Sequence, residues 1–118
     1  MYKRRARLLV AAATDDGRAR RVVELAADPE LAAWLELRAA PAMAGLEPEA
    51  LARADLLVAL DDTAARQMPC ERPATCRPKY WQLPARPGAD FDAAALEALR
   101  CMAGGMRMLA RMDDAPED

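Results

Sequence analysis

The chain has 118 residues, 53% of them hydrophobic, and a formal net charge of −2. Those values fit one soluble globular domain with a single core. They argue against a nucleic-acid binder with a broad basic stripe, and no apolar run approaches the roughly 20 residues of a membrane span. His, Ser and Asn are absent, which excludes a Ser-His-Asp triad, a Cys-His pair, histidine metal ligands and a seryl nucleophile.

The basic start Met1-Tyr2-Lys3-Arg4-Arg5 precedes only a short apolar stretch and no cleavage site, so the expectation is a cytoplasmic protein. Leu8 to Ala13 is a continuous apolar run, as in a strand covered on both faces. Ala12-Ala13-Thr14-Asp15-Asp16-Gly17 then forms the turn into a helix over Arg18 to Ala27, whose stripe is Val22, Val23, Leu25 and Ala26. In a parallel α/β protein such a turn is the usual anion site, because helix N–H groups and the helix dipole point at it.

Asp28-Pro29 interrupts that helix. A second strand is expected near Glu36–Ala40, closed by Pro41, with a turn at Gly45. Pro48 to Ala54 reads as a short helix with proline in its first turn. Leu56-Leu57-Val58-Ala59-Leu60 is the clearest buried strand, and Asp61-Asp62-Thr63 offers an N-cap to the helix that follows. Cys70 to Pro78 is a loop rich in Pro and Arg. Lys79 to Leu83 is expected as a fourth strand, followed by the Pro84–Gly88 loop. A last helix from about Asp90 to Met112 carries the stripe Phe91, Ala95, Leu99, Met102, Met106 and Leu109, with Gly104-Gly105 inside it. Residues 113–118 read as an acidic disordered tail, leaving one domain over residues 1–112.

Strands alternating with helices predict a three-layer α/β sandwich with a four-stranded parallel sheet in order 2-1-3-4. Three Cys are present, at 70, 76 and 101. Cys70 and Cys76 sit in one loop at a spacing that is neither the redox C-x-x-C nor a zinc knuckle. Three reduced thiols are the expectation, and no metal or cofactor is implied. Asp15 and Asp16 read as helix caps, as do Asp61 and Asp62. Tyr80 and Trp81 read as sheet packing. Arg18, taken alone, reads as a solvated or ion-paired surface residue.

The segments Ala54-Asp55-Leu56-Leu57-Val58-Ala59-Leu60-Asp61, Met68-Pro69, Tyr80-Trp81-Gln82-Leu83-Pro84 and Gly88 resemble the arsenate reductase branch of the low-molecular-weight protein tyrosine phosphatases. The resemblance covers the first strand and helix and roughly residues 46 to 110. The chain between Ala40 and Leu46 is shorter than the family's usual connection. Carried over by position, the resemblance puts the family's nucleophilic Cys on Ala12 and its phosphate-clamping Arg on Arg18, with Ala19 in place of a hydroxyl residue. The general-acid Asp falls on Ala85, with Arg86 where a Pro would follow. Two further redox cysteines fall on Asp61 and Met68.

A phosphate-loop thiol reacts as a thiolate, and its leaving group needs an acid. The resemblance therefore implies a degenerate, catalytically inactive member with a binding or regulatory role toward a protein partner. Asp15 and Asp16 would repel an anion, and Arg18 is expected to pair with one of them. The alternative is a divergent phosphatase or arsenate reductase, or a thiol redox protein using Cys70 and Cys76.

Overall fold

A computed structural model describes residues 5–114, with side chains through Met108. Strand β1 is Ala6–Ala11, followed by helices α1 (Arg18–Leu25) and α2 (Pro29–Ala32), then β2 (Leu35–Ala39). Helix α3 (Pro48–Ala52), β3 (Leu56–Ala59), α4 (Asp62–Arg66), β4 (Arg77–Tyr80) and α5 (Ala89–Asp114) complete the order. The four strands form one parallel sheet in the order β2-β1-β3-β4, as the alternation of apolar runs and helical stripes predicts.

Both faces of the central strands are buried, which is why their sequences are apolar without alternation. Leu8 and Val10 of β1 and Val58 of β3 face a cluster with Val22 of α1 and Phe91, Ala95, Leu99 and Ala103 of α5. Those four α5 residues lie four apart and are at most 2% exposed, so one line along the helix seats on the sheet. Leu9, Ala11, Leu57 and Ala59 face the opposite way, against Met43, Leu51 of α3, Ala64 of α4 and Cys76.

Several boundaries differ from the sequence-based expectation. The fourth strand lies at Arg77–Tyr80 rather than Lys79–Leu83. Its position is set by pairing with β3, because Arg77 N–H donates to Asp55 O and Trp81 N–H to Ala59 O. Alternate residues of β4 therefore bond to β3, and Pro78, which lacks an N–H, falls on the open side. Helix α2 was not anticipated. Asp28 accepts from the Glu30 amide and caps it, and Pro29 occupies its first position.

Helix α5 continues through Asp114, so the expected tail beginning at residue 113 is corrected: Asp113 and Asp114 are helical. Residues 115–118 of that expected tail, and the side chain of Leu109 from the expected stripe, lie outside what is described. So do residues 1–4 of the basic start. Among the described residues no helix is long and apolar enough to cross a membrane.

Candidate functional site

The loop from Ala12 to Gly17 joins the C-terminal end of β1 to α1. Ala12 is 1% exposed, and its carbonyl accepts the Met43 amide at 3.0 Å. Gly17 is the α1 N-cap at φ 92°, a left-handed conformation that a Cβ disfavours. This glycine lets the chain turn sharply into the helix. Arg18 therefore begins α1 with its side chain directed back under the loop.

Arg18 is the one buried charged residue among those described, at 5% exposure. Its Nε donates to Asp16 Oδ2 at 2.7 Å and its Nη2 donates to Asp61 Oδ2 at 2.8 Å. Its backbone amide donates to Asp16 Oδ1 at 3.1 Å. The expectation of a surface arginine is thus corrected, while the expected pairing with a loop aspartate is met by Asp16. Asp15 is not part of it. Asp15 lies 3.8 Å from Arg20, and both side chains are more than half exposed, so that pair contributes little.

Asp61 is the hub of the site. Its Oδ1 accepts the Ala64 amide at 2.6 Å, capping α4 as expected. Its Oδ2 accepts both Arg18 Nη2 and the Ala13 amide, the latter at 3.1 Å. Burial pushes the Asp61 carboxyl upward. The Ala64 and Ala13 amides and the Arg18 guanidinium outweigh that, and together hold it below the usual carboxylate range.

The sheet order brings these groups together. Ala11 pairs with Ala59 across β1 and β3, so two residues further on Ala13 stands beside Asp61. From the sequence, Asp61 is a helix cap and, through the resemblance, a redox-cysteine position, and not a partner of Arg18. The signal for that pairing was available: strands 1 and 3 adjacent, with Asp61 at the same sheet edge as the loop.

The chemical consequence is specific. The Ala13 amide and the Arg18 guanidinium, donors of the kind that bind oxyanions, are both engaged by a carboxylate of the protein itself. Ala12 supplies no nucleophile. Ala85 and Arg86 are both exposed in the loop after β4, and neither supplies an acid. Met68 is half-buried and packs with the α3–α4 cluster.

All three cysteines are free thiols. Cys70 and Cys101 are exposed, while Cys76 is 3% exposed in the core, where burial pushes its thiol up. That is the opposite of an activated thiolate. Tyr80 is 41% exposed at the sheet edge, whereas Trp81 is buried against α5 as expected for packing. Among the described residues no three Cys, Asp or Glu side chains gather as a metal site.

A second ion pair fixes the helices that flank the loop. Arg21 of α1 makes a two-pronged contact with Asp92 of α5, Nε to Oδ1 at 3.0 Å and Nη2 to Oδ2 at 2.7 Å. Hydrogen bonding to Arg21 holds the Asp92 carboxyl below its ordinary range, and hydrogen bonding to Asp92 raises the Arg21 guanidinium.

The fold and site together define an α/β protein with a four-stranded parallel sheet whose β1–α1 loop is closed by an internal salt bridge. No protein-family model matches the chain, and no curated protein matches it in sequence.

Proposed function

We propose that this chain is a low-molecular-weight phosphatase-like domain without catalysis, serving a binding or regulatory role toward a protein partner in the cytoplasm. The observation that carries the reading is the Arg18 lock. A guanidinium that would clamp a transferring phosphoryl group instead bonds Asp16 and Asp61, at 2.7 and 2.8 Å. Two carboxylates beside the loop oppose a dianion at any plausible dielectric. Ala12 removes the covalent step and Ala85 removes the proton donor, so both halves of the two-step chemistry are missing.

The alternative of a divergent phosphatase or arsenate reductase has no thiol in this loop to form the family's covalent intermediate. A thiol redox role for Cys70 and Cys76 runs against the burial of Cys76 and its raised pKa.

The test is an assay of purified protein with an aryl phosphate and, separately, with arsenate and a thiol reductant, alongside an Arg18→Lys control. The expected outcome is no turnover above buffer in either assay. Turnover that disappears in the control would overturn the reading.

A further inference from the structure

We propose that a small cleft on the α3 side of the sheet, toward the N-terminal ends of the strands, binds the phosphate group of a monoester. The cleft lies away from the β1–α1 loop, and the proposal does not depend on the phosphatase-like reading.

The register explains the cleft. Arg7 pairs with Glu36 and Leu9 with Arg38, so these four side chains share one face of β1 and β2. Helix α3 is only five residues long. Leu51 of α3 and Ala54 just beyond it join Leu9 in one buried cluster, while Arg38 and Arg53 stay exposed. A cleft of about 90 Å³ remains, lined by Arg7, Leu9, Glu36, Arg38, Arg53 and Ala54 among others.

Three arginine residues, Arg7, Arg38 and Arg53, contribute to its lining. Arg7 Nε is buried without a hydrogen-bond partner, and its nearest carboxylate oxygen, Asp55 Oδ2, is 3.8 Å away. That oxygen already accepts the Arg7 backbone amide at 2.8 Å. The Arg7 side chain is 43% exposed overall, so that orphaned donor belongs to a group still open to solvent. Arg38 and Arg53 form no hydrogen bond or ion pair among the described residues. Glu36, the one carboxylate in the lining, is engaged by Arg5 at 2.8 Å.

Charge and size select the ligand. Within the lining itself, Arg7, Arg38 and Arg53 stand against the single carboxylate of Glu36. That balance suits a dianion better than a carboxylate, and guanidinium forks match phosphate oxygens in pairs. The volume is well below the roughly 300 Å³ at which pockets begin to hold whole small molecules. The cleft therefore takes the phosphate group and leaves the rest of the ester outside.

The experiment is a titration with inorganic phosphate at constant ionic strength, followed by calorimetry and by backbone amide NMR shifts. Acetate is the comparison ligand. Variants are Arg38→Ala/Arg53→Ala and, as a control of equal charge loss at exposed positions elsewhere, Arg86→Ala/Arg100→Ala. Circular dichroism checks that each folds. The expected result is saturable 1:1 phosphate binding with shifts near residues 7, 38, 53 and 54. Binding should weaken at least about tenfold in the first variant and less than about twofold in the control, with acetate about tenfold weaker than phosphate. Non-saturable binding, equal weakening in both variants, equal affinity for acetate, or shifts confined to residues 13–19 would each overturn the proposal.

Discussion

Arg18 Nη2 and Asp61 Oδ2 stand 2.8 Å apart, joining the first turn of α1 to the N-cap of α4, two residues beyond β3. The two are 43 positions apart in sequence. The bond ties the loop after one strand to the cap of the helix after its neighbour, so loss of either partner should be felt in both elements.

Arg18→Met should destabilise the fold by about 2–3 kcal/mol. Breaking a buried pair costs about 3–5 kcal/mol, and partial exposure of the Asp16 and Asp61 side chains, 34% and 21%, reduces that. Asp61→Ala should cost more than Asp16→Ala, because Asp61 also accepts from the Ala13 and Ala64 amides. Urea unfolding of the three variants measures the order. An Asp16→Ala cost equal to or above that of Asp61→Ala would contradict the hub role.

Acid should weaken this lock. The folded-state pKa of Asp61 lies below its unfolded value. Its contribution is then fully present above the unfolded pKa of about 3.9 and is lost as pH falls from there through the folded value. Asp92, half-buried and bonded to Arg21 by both oxygens, shifts in the same direction, and its contribution is lost over the same range. Urea midpoints at pH 7, 5 and 3 should fall more steeply below pH 5 for the wild type than for Asp61→Asn. Parallel declines would show that Asp61 is not a source of the acid sensitivity.

On the proposed phosphatase-like reading, a thiol placed at position 12 should not confer turnover. In Ala12→Cys the new sulfur would sit where 1% of the residue is exposed. The Ala13 amide and the Arg18 guanidinium beside it would remain bonded to Asp61. A thiolate needs those donors to be free. Aryl phosphate hydrolysis should stay at background. Measurable turnover by this variant alone would mean that the lock opens readily in solution.

Glycine substitutions should divide by backbone conformation. Gly104 and Gly105 lie inside α5, and a Cβ at either meets nothing within 4 Å. Ala at each should stabilise by about 0.5–1 kcal/mol. Gly17→Ala should destabilise by about 1 kcal/mol or more, since φ is 92° there. Thermal melts of the three variants give the signs, and a lowered Tm for Gly104→Ala would show that α5 is bent or frayed at that point.

The sequence by itself determined the sheet and its order. Apolar runs at Leu8–Ala11 and Leu56–Leu60 cannot be satisfied except by burial on both faces, and helical stripes between them force parallel crossovers. It also determined that the β1–α1 loop holds no Cys, which is visible without coordinates. The tertiary structure decided the rest. The fourth strand was placed by its hydrogen bonds to β3, not by its own hydrophobicity, which is why an exposed Arg77–Tyr80 edge was passed over in favour of the more apolar segment beyond it. The burial of Arg18 was decided by Asp61. A carboxylate distant along the chain reaches the arginine only because β1 and β3 are neighbours in register, and no local pattern around Arg18 carries that information. The arginine cleft has the same origin: Arg7 of β1, Arg38 of β2 and Arg53, the C-cap of α3, are distant in sequence and line one cleft because the sheet register and the short α3 place them there.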